Sequence, residues 1–107
     1  MNAEILRGYT DAIILNILNK RDSYGYFITK TIIEMVNNKI DIKNATIYLA
    51  FKRMEKDNLI SSYWVDGEHG VRRKQYSITD NGREYLKHKK NEWENNKEIL
   101  DMLLGDK

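Results

Sequence analysis

The 107-residue sequence has no cysteine, no proline, two histidines and six glycines. Without cysteine there is neither a disulfide framework nor a thiolate metal site, which fits a reducing compartment. The lack of proline suits a mainly helical chain with short connections. His69 sits in a glycine-flanked turn and His88 in a lysine-rich run, and neither has a second ligand at a metal-binding spacing. No Gly-rich phosphate loop is present. Nothing suggests the buried, oriented histidine that Ser/His/Asp catalysis needs. The expectation is a protein with no cofactor and no metal that is not an enzyme. The longest early apolar stretch, Ala12 to Asn19, is bracketed by Asp11 and Lys20. It is far short of the roughly 20 residues that span a bilayer. The first residues also lack the charged start, apolar run and small-residue cleavage site of a signal peptide. A soluble, cytoplasmic protein without membrane association is expected.

What is present is 41% hydrophobic residues, two tryptophans and seven tyrosines, enough for a modest core in one domain. A domain this small buries a limited share of its surface, so a partner subunit would help it. The net charge of +2 implies little by itself. Its distribution is more telling. Positive charge gathers on Lys43, Lys52, Arg53 and Lys56, and again on Arg72, Arg73, Lys74, Arg83, Lys87, Lys89 and Lys90. Residues 57–70 and 91–107 are acidic on balance.

Apolar periodicity predicts a first helix over 9–19. Ala12, Ile13, Ile14, Leu15, Ile17 and Leu18 surround it, so one side should meet the core and the other a second subunit. Asp22 or Ser23 is a fair N-cap for a second helix over 24–37, with Ile28, Ile32, Met35 and Val36 inward. Gly25 at its start suggests a close approach by another helix. Ile40-Asp41-Ile42 alternates like a short strand.

The stretch Asn44 to Asn58 reads as a third helix, with Asn44 as its N-cap. Ile47, Ala50, Phe51, Met54 and Asn58 fall on one side at i, i+3, i+4, i+7 spacing. Ala45, Leu49, Lys52, Arg53 and Lys56 fall opposite, flanked by Tyr48 and Thr46. Small apolar groups mixed with cations suit a DNA major groove, where cations meet phosphates or guanine edges and methyl-sized groups meet thymine methyls. The competing reading is a solvated face. Leu59 to Val65 and Val71 to Thr79 then read as two strands joined by the turn Asp66-Gly67-Glu68-His69-Gly70. Three helices followed by a hairpin with Arg72-Arg73-Lys74 after its tip is the order of a winged helix-turn-helix. Both basic segments fall on the two elements that would face DNA.

Thr79 caps a last helix that should run to about Leu104. Leu86, Trp93 and Leu100 recur every seven residues along it, with Leu103 and Leu104 extending the stripe. So sparse a stripe suits dimerisation rather than an independent coiled coil. The fold expected is mainly α with a small β-hairpin: a winged helix-turn-helix domain over 1–79 and a C-terminal dimerisation helix over 80–107.

Asn44-Ala45-Thr46-Ile47-Tyr48, Phe51-Lys52-Arg53-Met54-Glu55-Lys56-Asp57, Leu59-Ile60-Ser61-Ser62-Tyr63-Trp64 and Gly70 to Thr79 resemble the PadR-family signature. Leu6-Arg7-Gly8 and Ser23-Tyr24-Gly25-Tyr26 resemble the family's start and the opening of its second helix. The single long last helix is similar to the compact branch of the family that includes a multidrug-binding regulator. The resemblance implies a homodimeric transcriptional repressor on a palindromic operator, released by a small aromatic or drug-like effector. It implies DNA contacts from Asn44, Thr46, Tyr48, Lys52 and Arg53, and from Arg72, Arg73 and Lys74 on the wing. It also implies that Trp93 faces its symmetry mate and stacks planar ligands. Ile5, Gly8, Asp11, Ala12, Tyr85, Lys89, Asn96 and Lys97 would line the same space. Lys89 and Lys97 make it more cationic than a site for cationic drugs would be, while Asp11 pulls the other way. Two alternatives stand beside this reading: an aromatic-sensing module with DNA binding secondary, and a winged-helix protein-interaction domain.

Overall fold

A computed structural model of the chain describes residues 6–105. Its elements are α1 (Thr10–Leu18), α2 (Gly25–Met35), α3 (Asn44–Lys56), β1 (Ile60–Asp66), β2 (Arg72–Ile78) and α4 (Asp80–Leu104). A single 3-10 turn, Glu68–Gly70, lies between the strands. The order is that of a winged helix with a long terminal helix.

One cluster of side chains holds these elements together. Ile14, Leu15 and Leu18 from α1, Ile28 and Ile32 from α2, and Ile47, Ala50, Phe51 and Met54 from α3 are all buried. The hairpin adds Ile60, Tyr76 and Ile78, and α4 adds Leu86. The Phe51 and Tyr76 rings stack at 3.9 Å and 21°. Burial pushes the Tyr76 phenol above the usual tyrosine range. Ile13 and Ile17, the apolar residues of α1 outside the buried set, are half-buried against the core.

The strands pair antiparallel, from Ile60 opposite Ile78 to Asp66 opposite Arg72. Ser23 adds an isolated bridge to Tyr76 on the free edge of β2. Its N–H donates to the Tyr76 carbonyl at 3.2 Å, and the Tyr76 N–H donates back at 2.7 Å. Ser23 is therefore committed to the sheet and does not cap α2. Asp22 does not cap it either, because it accepts from the Tyr63 hydroxyl. Tyr24 holds the N-cap position with no side-chain cap bond.

Other local expectations are corrected too. Lys43 holds the N-cap position of α3, and Asn44 is its first helical residue. Ile40-Asp41-Ile42 is not a strand; the two isoleucines are buried and Asp41 exposed, but no strand runs alongside. Met35 is 61% exposed because α2 ends there and the chain turns away. Asn58 is not on the inner face of α3 but lies beyond its end, at φ 60°.

Both helices of the helix-turn-helix close in the same way. After α2, Asn37 and Asn38 have φ of 53° and 61°, and their N–H groups return to Glu34 and Ile33 at 3.1 and 3.0 Å. After α3, Asn58 and Leu59 donate back to Glu55 and Met54 at 3.1 and 2.9 Å. These are Schellman closures with asparagine in the left-handed position that glycine usually fills.

Thr79 caps α4 as expected. Its Oγ1 accepts from the Gly82 N–H at 3.0 Å and donates to the Asn58 carbonyl at 2.6 Å. The start of α4 is thereby fastened to the end of α3. Gly82 sits so close to this junction that a methyl group there would overlap the Leu59 carbonyl and lie 2.8 Å from the Ile78 side chain. Leu86 ends the buried part of α4, and from Lys90 to Leu104 every residue is exposed.

Gly82→Ala should therefore cost about 1–3 kcal/mol of folding stability, because backbone rather than a flexible side chain must move. Urea denaturation of the two proteins measures the difference, and an unchanged midpoint would contradict the close approach.

Candidate nucleic-acid interface

α3 presents the face its wheel implies. Asn44, Ala45, Thr46, Leu49, Lys52 and Lys56 are exposed, Leu49 at 64%. A leucine held this far into solvent beside lysines has no packing role inside the chain. Among the described residues, neither Lys52 nor Lys56 makes an ion pair. Tyr48 lies at the edge, 48% exposed. Its ring covers Gly25, where a Cβ would sit 2.7 Å from the ring carbons. The close approach expected at Gly25 is this one, a tyrosine of α3 resting on the start of α2. Tyr48 also meets Phe51 edge-on at 6.1 Å. It thus packs and presents a hydroxyl at once.

Arg53 differs from its neighbours. Its Nε donates to Asp11 Oδ2 at 3.2 Å, and its Nη2 donates to Asp11 Oδ1. Both donors are turned to α1, and the hydrogen bond to Asp11 raises the guanidinium pKa above its already high value. The Asp11 side chain is 17% exposed and that of Arg53 is 54% exposed. With its arginine half-exposed, the pair contributes on the order of 1 kcal/mol to stability.

The wing cations rest on aromatic rings. The Arg73 guanidinium lies 4.0 Å from the Tyr24 ring centroid, and that of Arg72 lies 5.3 Å from Trp64. Lys74 is 5.6 Å from the Tyr76 ring and 3.6 Å from Glu55. Glu55 of α3 also accepts from the Ser62 hydroxyl at 2.8 Å. It therefore touches both strands and fixes the wing beside the helix. The structure brings Arg72, Arg73 and Lys74 to the hairpin flanking α3. Glu55, Tyr24 and Trp64 are supporting residues that the sequence reading did not single out. Only a carboxylate facing outward at the wing end of a basic helix hinted at Glu55.

The residues expected around Trp93 are less gathered. Trp93 is 49% exposed, with Lys97 Nζ 4.5 Å from its ring centroid and 3.4 Å from Glu94. Asn96 Nδ2 donates to the Tyr9 hydroxyl at 3.0 Å, and Lys89 lies 5.5 Å from the Tyr9 ring. Lys89 also pairs with Glu92 at 2.9 Å, which raises its pKa. Tyr85 packs against the core, and Gly8 is exposed. Ala12 is 8% exposed and belongs to the core cluster. Asp11 is turned to Arg53. Ile5 lies outside the described residues. No helix among the described residues is long and apolar enough to cross a membrane.

Three helices, a two-stranded wing and a basic outer face on the third helix define a winged helix-turn-helix. The chain belongs to the PadR-like family of transcriptional regulators, whose family model matches residues 14–88. A transcriptional regulator from Clostridium thermocellum is 42% identical, superposes with a TM-score of 0.86, and is matched over 95% of this chain and 99% of that one. A PadR family transcription regulator from Clostridium difficile is 43% identical with a TM-score of 0.77, over 92% of this chain and all of that one. A structure of Bacillus subtilis PadR in complex with operator DNA is 25% identical with a TM-score of 0.69, over 76% of this chain but 46% of that protein. An uncharacterized protein of Lysinibacillus sphaericus is 40% identical over 104 residues, 97% of this chain and 95% of that protein.

Gly25→Ala should displace the Tyr48 ring while costing little stability, since the obstructing atoms end a flexible side chain. Aromatic NMR resonances of Tyr48 should shift while the urea midpoint moves by less than about 1.5 kcal/mol equivalent. An unmoved Tyr48 ring would contradict the packing described.

Proposed function

We propose that this regulator is a repressor that binds double-stranded DNA as a homodimer on a palindromic operator in the cytoplasm. α3 enters the major groove and the hairpin lies along the flanking backbone. The observation that carries this reading is the exposed face of α3, where Leu49 and Ala45 stand beside Lys52 and Lys56, which make no ion pair among the described residues, with the wing cations alongside. Lysines neutralise phosphates and make affinity salt-dependent. The Asn44, Thr46 and Tyr48 polar groups position the helix on the backbone. Arg72, Arg73 and Lys74 reach the backbone from the wing, and Arg53 joins them when free of Asp11. The operator complex of the Bacillus subtilis relative supports the reading. Residues 1–79 serve as the DNA-binding unit and 80–107 as the dimerisation helix, with the first two turns of that helix shared by both.

Dimerisation is supported by the outer half of α4. Trp93, Ile99, Leu100, Met102, Leu103 and Leu104 are all exposed, apolar side chains of the kind that mark an interaction surface when covered together. Paired tryptophans at such an interface would stack a planar aromatic effector, as in the compact multidrug-binding branch of the family. That effector would release the operator. Lys97 over the Trp93 ring and Lys89 over Tyr9 favour a neutral or anionic aromatic over a cationic one.

Lys52→Ala should lower affinity for a mixed-sequence duplex and flatten the slope of log K against log salt by about 0.9 for each phosphate contact removed. Fluorescence anisotropy across a salt series measures it, and a wild-type affinity that ignores salt would sink the phosphate-contact reading. In a Trp64→Phe background, a flat aromatic dye should quench Trp93 fluorescence. Dye binding, followed by the dye's own fluorescence, that survives Trp93→Ala unchanged would rule out the aromatic clamp.

A further inference from the structure

We propose that Asp11 is a positioning residue for the recognition helix: it holds the Arg53 guanidinium against α1 and so withholds one cation of α3 from DNA phosphate. The inference rests on the DNA-binding reading above. Arg53 follows Lys52 and stands one turn from Lys56 on the outer side of α3, so by position it belongs to the DNA face. Its fork is nevertheless spent on a carboxylate 42 residues away, with Nε 3.2 Å from Oδ2 and Nη2 on Oδ1. A two-pronged arginine–carboxylate pair fixes direction as well as distance. Because the arginine side of the pair is half-exposed, it adds only modest stability, and its consequence is geometric: it fixes where the Arg53 guanidinium points on an α3 that the core already holds.

The same turn of the chain is fastened to α4. Tyr9, two residues before Asp11, accepts from Asn96 at 3.0 Å and lies under Lys89 at 5.5 Å. Residues 9–11 thus join the exposed half of α4 on one side and the recognition helix on the other. A displacement of α4 near Trp93 acts on Tyr9, and through the short rigid start of α1 it acts on Asp11 and its grip on Arg53. Opening the pair delivers a cation to the DNA face, and closing it removes one. The pair is a two-position element that both ends of the molecule bias.

The test uses the full-length wild type, Asp11→Asn, Arg53→Gln and the double variant. Each is measured for affinity to a mixed-sequence duplex across a salt series and for melting temperature. Asp11→Asn should steepen the salt slope by about 0.9 for each arginine freed and tighten binding at low salt. Arg53→Gln alone should change the slope by far less than Lys52→Ala does, and the double variant should bring the slope back to that of Arg53→Gln. Asp11→Glu should keep it near wild type. The melting temperature of the double variant should match that of a single variant, because one interaction is lost in both. A slope flattened by Arg53→Gln and untouched by Asp11→Asn would overturn the proposal, because Arg53 would then already be on phosphate. Should Asp11→Asn fail to fold, Arg53→Gln decides alone, since its half-exposed side chain is dispensable for the core. Wild-type binding without salt dependence overturns the DNA-binding reading itself, and with it the withheld contact. Additive melting losses with normal wild-type binding overturn only the Asp11–Arg53 pairing.

Discussion

The stack of Phe51 on Tyr76 is the contact on which the geometry of the basic face of α3 and the wing depends. Phe51 belongs to α3 and Tyr76 to the second strand of the wing, so their 3.9 Å separation joins the two elements directly. Removing a buried phenylalanine of this kind costs about 3–5 kcal/mol, a large fraction of what holds so small a domain together. Around this pair the polar ties refine position rather than supply stability. Glu55 holds Ser62 and Lys74, Ser23 bridges to Tyr76, and Thr79 ties α4 to the end of α3. The helix and wing are therefore presented as one rigid surface, which lets cations on two elements act at a fixed spacing.

The polar contacts on that surface are a set of restraints on flexible cations. Arg73 on Tyr24, Arg72 on Trp64 and Lys74 between Glu55 and Tyr76 are each held through the charged group itself, which stays partly open to solvent. Such restraint lowers the rotamer entropy that a long side chain loses on meeting a phosphate. Among the described residues Lys52 and Lys56 make no ion pair, while Arg53 has two of its donors on Asp11. The cations of this face thus differ in readiness even though their formal charge is equal.

The elements and their order were readable from the sequence because each has a distinct period. Ile28 and Ile32, then Ile47, Ala50, Phe51 and Met54, are spaced for buried helix faces, and all six are buried. Thr79 was readable as a cap, and the hairpin was bracketed by its glycine turn. The residues that escaped are those whose role comes from a distant partner. Ser23 has the chemistry of a helix cap but is recruited by Tyr76, and Asp22 by Tyr63. Asn58 looked like part of a helix face because periodicity does not mark where a helix stops; its positive φ does. Asp11 was placed with Trp93 and Arg53 with DNA, and nothing in their spacing shows that the two side chains meet. Membership of the PadR-like family was legible from contiguous motifs.

The outer part of α4 has a consequence for how the molecule comes to be helical at all. From Lys90 to Leu104 about four turns extend with every residue exposed. A helix of that length is near the limit of what holds by itself in water. Its Lys89–Glu92 and Lys97–Glu94 pairs add only tenths of a kcal/mol each. The ordering of this tail is thus thermodynamically bound to whatever shields its tryptophan and leucines. With a second copy as the proposed cover, helix content read by far-ultraviolet circular dichroism over a dilution series would gauge association, and the tail would be where the chain answers to its own abundance.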